Sequence, residues 1–144
     1  SIEQPIQKGK WKAMNDLCQL SKIPIALDEE LIGIEGDEEK KTLLDQIKPA
    51  YIVLKPSLLG GFMESNQWIK WAEDRNIGWW VTSALESNFG LNAISQFVGQ
   101  YPNLSYQGLG TGALYHNNFA SRVSLTDLKM SYIETNYDEL PFDN

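Results

Sequence analysis

The chain has 144 residues and a mass of 16.3 kDa, about one domain's worth and enough to enclose a hydrophobic core. Its 42% hydrophobic and 22% charged residues are ordinary for a globular protein and exclude a disordered one. With 19 acidic against 12 basic residues and a net charge of −7, it offers a phosphate backbone no basic stripe, so no nucleic-acid partner is expected. A single cysteine forms neither an internal disulfide nor a zinc cage, which points to a reducing, cytoplasmic compartment. The longest apolar runs fall far short of the about 20 residues of a membrane span, and no membrane partner is expected. The opening Ser-Ile-Glu-Gln-Pro has neither an initiator Met nor the design of a signal peptide, and reads as a start in mid-domain.

In chain order, short apolar runs alternate with amphipathic segments. Ile2 runs into Glu3-Gln4-Pro5, and a helix comes next in which Trp11, Met14 and Cys18 share a face. Ile23 to Leu27 runs into Asp28 and Glu29. A weaker helix then spans 38–47, with Leu43, Leu44 and Ile47 apolar among Glu38, Glu39, Lys40 and Lys41. Tyr51 to Leu54 runs into Lys55-Pro56 and precedes a helix whose face carries Phe62, Ile69 and Ala72. Trp79 to Val81 runs into Thr82-Ser83, ahead of a helix over 91–101 with Leu91, Ile94, Val98 and Tyr101 on one side. Leu104 to Tyr106 runs into Gln107-Gly108.

The polar ends at Glu3, Asp28, Lys55, Thr82 and Gly108 are separated by 25, 27, 27 and 26 residues, a step that marks a structural repeat. Apolar runs without alternation suit strands of a parallel sheet covered on both faces. Four strand–helix steps in about 105 residues match the pace of a β/α barrel, which takes about 250 residues when complete. The predicted fold class is therefore α/β, a partial (β/α)8 TIM-like barrel comprising about its C-terminal half. A small doubly wound α/β domain is the alternative. The barrel part is expected over 1–112. Residues 113–144 form an extension that packs on it or frays, with short strands at 121–125 and 128–134 and an acidic last turn at 138–141.

A barrel builds its active site at the carboxyl ends of its strands. Those positions here supply two carboxylates, an ammonium, two hydroxyls and a glycine loop. Glu3 and Asp28 fall on adjacent strands, and oxygen-only ligation suits a hard cation such as Mg²⁺; the plainer alternative is that Asp28 and Glu29 only cap the next loop or helix. Lys55 projects from an apolar strand as a general acid or base, as a fixed charge opposite a developing anion, or as a lysine reaching for solvent. Leu59-Gly60-Gly61 lets the chain turn tightly into the next helix. Thr82 and Ser83, with free N–H groups nearby, suit a substrate carboxylate, while Ser87 or Asn88 serves as helix N-cap. Gly108, Gly110 and Gly112 do not fit the dinucleotide fingerprint. His116 lacks a partner at metal spacing, Cys18 falls on a packing face, and the Trp pairs 68/71 and 79/80 read as packing, with 79/80 able to face outward under a helix.

Four segments together carry a resemblance: Ile2-Glu3-Gln4-Pro5, Ala26-Leu27-Asp28-Glu29, Val53-Leu54-Lys55-Pro56-Ser57-Leu58-Leu59-Gly60-Gly61, and Thr82-Ser83-Ala84-Leu85-Glu86-Ser87-Asn88-Phe89-Gly90-Leu91. In order and spacing the chain over 2–112 resembles the enolase superfamily and, within it, the o-succinylbenzoate synthase family. The resemblance implies that Glu3 and Asp28 are metal ligands from the fourth and fifth barrel strands, with Mg²⁺ as the cofactor. Lys55 would be the lysine of the sixth strand, facing a Lys-x-Lys lysine of the second. Thr82, Ser83 and the backbone near Gly108 would hold a succinyl carboxylate. The implied reaction belongs to menaquinone biosynthesis and acts on a small-molecule carboxylate, by proton abstraction alpha to the carboxylate and then loss of water. Dipeptide epimerases or N-acylamino acid racemases and muconate cycloisomerases of the same superfamily are the enzymatic alternatives. A non-catalytic α/β assembly module is the alternative of a different class.

The 144 residues depart from that pattern in holding no Lys-x-Lys base, no third-strand Asp and no amino-terminal capping domain. Lys8-Gly9-Lys10 has the letters of the dyad but comes after the Glu-Gln-Pro strand. This chain alone is therefore expected to be inactive, and to bind Mg²⁺ weakly or not at all. A half-barrel also presents two unpaired sheet edges and an apolar inner face, so two copies are expected to form a homodimer through them. Light scattering at micromolar concentration checks this: a species of twice the 16.3 kDa chain mass is expected, and a monomer would assign the cover to residues 113–144.

Overall fold

The computed structural model describes residues 1–102, 104–110, 114–116 and 123–132. Two compact units divide the chain, Ser1–Thr82 and Ser83–Asn144. The first unit alternates strand and helix throughout: β1 (Ile2–Glu3), α1 (Trp11–Leu20), β2 (Ile25–Leu27), α2 (Asp37–Ile47), β3 (Tyr51–Leu54), α3 (Phe62–Glu73) and β4 (Gly78–Val81), with a 3-10 turn at Glu29–Leu31. All its pairings are parallel, and the strands lie in the order β1-β2-β3-β4. A doubly wound sheet reverses its strand order at a switch point. Here the order never reverses, which is the arc of a barrel.

Helix ends are set by local chemistry. Three acidic residues, Asp37, Glu38 and Glu39, occupy the first turn of α2, where the helix dipole favours them. The helix stops at Lys48, in the left-handed conformation directly before Pro49, since a residue preceding proline is disfavoured in the helical region. The turn at Gly60 and Gly61, with φ of 89° and 93°, leads into α3 as the glycine pair predicts. β2 starts at Ile25, two residues later than the apolar run, because Ile23 is half exposed and Pro24 comes after it.

The core lies between sheet and helices. Ile25, Ala26, Leu27, Ile52, Val53, Leu54 and Val81 meet Met14, Leu43, Leu44, Ile47, Trp68, Ile69 and Ala72, all buried. Each large aliphatic side chain removed from water here contributes about 1.5–3 kcal/mol. The expectation of strands covered on both faces holds for β2 and β3 but not for β1, both of whose residues are exposed, nor fully for β4, which is half-buried; β1 and β4 are the two edge strands of this sheet. On α3 the buried face is Ser65, Trp68, Ile69 and Ala72, whereas Phe62 is 40% exposed. Lys40, read as a polar residue of a weak helix, is fully buried: its ammonium pairs with Glu64, donates to Gln67 Oε1 at 3.0 Å and lies 5.8 Å from the Trp68 ring.

The remaining tryptophans pack as well. Trp71 sits between the ammoniums of Lys41 and Lys70, at 4.1 and 4.6 Å. Trp79 donates to Glu73 Oε1, at the last residue of α3, at 3.1 Å. Arg75 grips Asp45 with two hydrogen bonds of 2.7 and 2.9 Å. This guanidinium holds the Asp45 carboxyl below its usual range, so the small contribution of the exposed pair is present above the ordinary carboxylate pKa and fades as pH falls through the lowered value.

In the second unit, α4 (Asn88–Val98) begins and ends three residues earlier than the apolar pattern, leaving Tyr101 beyond it; Ser87 occupies the N-cap position without a side-chain cap bond, and the helix buries Leu91, Ile94, Phe97 and Val98. The expected strands near its end form a hairpin, β5 (Val123–Thr126) and β6 (Lys129–Tyr132). Asp127 and Leu128 supply the two positive φ values that a tight hairpin turn requires. Leu104–Tyr106, expected to be a fifth parallel strand, is not one. Tyr106 is 95% exposed, and pairing near this run is limited to a single-residue bridge at Gly108, too short to make Leu104–Tyr106 a strand. The expected acidic turn at 138–141 lies outside the described residues.

Gly78 is required for the β3–β4 seam. It lies in register with Tyr51, and a Cβ on it would fall 2.5 Å from Tyr51 Cδ1, while the same ring stands 5.6 Å from Trp80. Gly78→Ala is expected to destabilise the fold by about 1–3 kcal/mol through overpacking. Urea denaturation checks it, and combining the change with Tyr51→Val should recover most of the loss.

Candidate active site

The register of the sheet decides which side chains share a face at the strand ends. Glu3 lies opposite Ala26, Ala26 opposite Tyr51, and Tyr51 opposite Gly78. Counted from that line, Asp28 stands two residues further along its chain, and Lys55 and Thr82 four. Even offsets keep side chains on one face of a sheet, and the forward drift is the stagger of a barrel.

Asp28 is buried and its Oδ2 accepts a hydrogen bond from Lys55 Nζ in an ion pair between adjacent strand ends. The capping alternative for Asp28 is overturned: it precedes the 3-10 turn but makes no side-chain cap bond. Nor does Lys55 reach freely for solvent, because its side chain is 21% exposed and bound to Asp28. Glu3 ends β1 as an exposed residue. Thr82 N–H donates to Leu54 O at 2.9 Å, extending the ladder beyond β4.

Ser83 and Gly108 meet in the second unit, where Ser83 N–H donates to Gly108 O at 3.4 Å. Gly110 lies against them: a Cβ on it would stand 3.0 Å from Ser83 Oγ. In the loop before α4, Glu86 folds back to accept from Ala84 N–H at 2.7 Å, and Tyr115 Oη donates to Leu85 O at 2.7 Å. His116 is exposed. Burial pushes the Cys18 thiol up, which disfavours the thiolate and suits its packing role.

Two residues to which the sequence pattern assigned no role, Gln4 and Glu30, hold this region together. The Gln4 carboxamide uses all four of its hydrogen-bonding positions. Its Oε1 accepts from the backbone N–H groups of Asp28 and Glu30 at 3.1 and 3.3 Å, and its Nε2 donates to Ile6 O at 3.0 Å and Glu30 Oε2 at 3.1 Å. Buried Glu30 also accepts at Oε1 from Gly9 N–H at 2.7 Å and from the Trp11 indole at 2.8 Å. Gln4 itself has φ 36° directly before Pro5, a conformation that costs about 1–3 kcal/mol and persists because its side chain is bonded on every side. The signals were available in the Gln of Glu-Gln-Pro and in a third consecutive acidic residue after Leu27.

Among the described residues no group of three or more His, Cys, Asp or Glu converges on a metal position. The two carboxylates at adjacent strand ends nevertheless fit a hard divalent cation in donor type: both offer oxygen only, and the Asp28 carboxylate is buried beside a single ammonium. Lys8 and Lys10 lie between β1 and α1, with Lys8 Nζ donating to Ile32 O at 3.2 Å, and so cannot serve as a second-strand dyad.

Removing one partner of a fully enclosed ion pair costs about 3–5 kcal/mol. Asp28→Ala is expected to cost somewhat less, about 2–3 kcal/mol, because Lys55 keeps 21% of its side-chain surface in water. The double variant Asp28→Leu, Lys55→Met should regain most of that. Urea denaturation monitored by tryptophan fluorescence measures both.

The sequence matches the model of the enolase C-terminal domain-like family over residues 1–133. It is 55% identical over 125 residues to the o-succinylbenzoate synthase of Desulfotalea psychrophila, covering 87% of this chain and 34% of that protein. The crystal structure of MenC from the same organism superimposes with a TM-score of 0.83 at 54% identity, over 87% of this chain and 35% of that one. An L-amino acid-D/L-Glu epimerase of Francisella philomiragia is 29% identical over 97 residues, 67% of this chain and 26% of its own length. The chain thus spans about a quarter to a third of the length of the curated relatives it matches. Its parallel strand order and staggered register are those of a barrel segment, and the chain belongs to the enolase C-terminal domain-like family.

Proposed function

We propose that this chain is part of an o-succinylbenzoate synthase, a carbon–oxygen lyase of menaquinone biosynthesis that acts in the cytoplasm on a small cyclic carboxylate. The observation that supports it most directly is the Asp28–Lys55 pair at adjacent strand ends, in a chain far more similar to a synthase than to the epimerases. In this reading Glu3 and Asp28 hold Mg²⁺, and the bound ion supplies Lewis-acid stabilisation of charge growing on the substrate carboxylate. Lys55 is a fixed ammonium aimed by Asp28 at the same developing charge. In the same reading the hydroxyls of Thr82 and Ser83 and the backbone at Gly108 serve a second carboxylate.

The chemistry balances as loss of one water. The C–H bond alpha to the carboxylate breaks and its proton passes to a base; its electron pair forms the new double bond as the ring C–O bond breaks, and the departing hydroxide takes the proton back from the protonated base to leave as water. The resemblance assigns the base to a Lys-x-Lys lysine, which these 144 residues do not contain, so the isolated chain is inactive in this reading. A dehydration assay on 2-succinyl-6-hydroxy-2,4-cyclohexadiene-1-carboxylate tests it with the complete natural protein. Activity that falls about 100- to 1,000-fold in Lys55→Ala is expected, as for loss of one charge-stabilising group. Racemisation of acylated amino acids without dehydration would favour the epimerase alternative, and neither activity would favour an assembly module.

A further inference from the structure

We propose that Gln4 and Glu30 are positioning residues for the metal site, setting the carboxylate of Asp28 in relation to that of Glu3; this rests on the reading of Glu3 and Asp28 as Mg²⁺ ligands. Gln4 comes directly after Glu3, and its Oε1 accepts from the backbone N–H of Asp28 at 3.1 Å. One carboxamide therefore ties the residue beside the first ligand to the backbone of the second, across two adjacent strands. Its orientation is forced: with oxygen and nitrogen exchanged, the NH₂ would face the N–H groups of Asp28 and Glu30, and the oxygen would face Ile6 O and Glu30 Oε2.

Glu30 locks the carboxamide in that orientation. Its Oε2 takes the Gln4 Nε2 hydrogen, while Oε1 takes Gly9 N–H and the Trp11 indole N–H. The residue is 3% exposed and forms no ion pair among the described residues. A buried carboxylate held only by neutral donors is costly to keep unless every lone pair in reach is used. What it fastens is the segment after β1, which follows directly on Glu3, onto the segment after β2, which carries Asp28. A leucine at position 4 would fill the same space while leaving the Asp28 and Glu30 amides without their acceptor.

The test is calorimetric titration of Mg²⁺ into the complete natural protein, with thermal unfolding of the same samples. Gln4→Leu is expected to weaken Mg²⁺ about 10- to 100-fold, the range for loss of a residue that orients a ligand. Glu30→Gln, which keeps the volume and sets an NH₂ against Gln4 Nε2, is expected to do the same and serves should Gln4→Leu not fold. Gly78→Ala, which strains the β3–β4 seam, should lower the unfolding temperature and leave Mg²⁺ affinity unchanged. If Gln4→Leu and Glu30→Gln lower only the unfolding temperature while Asp28→Asn abolishes binding, the positioning role is overturned and the metal reading stands. If Asp28→Asn binds Mg²⁺ as the parent does, the metal reading itself falls, and the positioning role with it.

Discussion

In a parallel sheet the backbone is engaged by its own ladder along the whole strand, so side chains free for chemistry collect where strands end. What they meet there is set by register. In this chain the register drifts forward by an even number of residues between Glu3, Asp28 and Lys55, which keeps all three on one face while the strands tilt as a barrel demands. A drift of one residue would turn the ammonium of Lys55 away from Asp28 and into the helix-covered face. The ion pair is thus a consequence of strand pairing, and the strand pairing is held by the apolar side chains of β2 and β3 that α1, α2 and α3 cover.

Two further charges inside the first unit show how differently burial can be handled. Lys40 is enclosed between helices and neutralised by Glu64, with Gln67 and the Trp68 ring completing its surroundings. It fastens α2 to α3, away from any strand end. Glu30 is enclosed beside the strand ends and is held by neutral donors: a carboxamide, a backbone N–H and an indole. The first arrangement cancels charge where only packing is needed. The second sets a carboxyl group beside the strand ends and uses hydrogen bonds to hold it still.

Much of the fold was legible because its signals are local. A strand of three or four apolar residues, a polar residue ending it and an amphipathic helix after it can each be read within a short window, and the constant step between Glu3, Asp28, Lys55 and Thr82 made them a repeat. Legibility failed where an element depends on a neighbour. Leu104–Tyr106 has a strand's composition, but strand is a statement about pairing, and that run has no ladder. It also stopped short of Gln4 and Glu30, whose bonds join residues 24 and 26 positions apart.

Residue order alone was enough to place two carboxylates, an ammonium and hydroxyls at the carboxyl ends of apolar strands. These placements come from composition and periodicity, which act over a few residues at a time. That Asp28 turns to Lys55 and does not cap the turn after it was settled only by the packed chain. So was the reach of the Gln4 carboxamide to the Asp28 backbone, and so was the burial of Lys40. Each of these depends on the distance between chain segments some 25 residues apart, and that distance exists only once parallel strands have paired in register and their helices have closed over them.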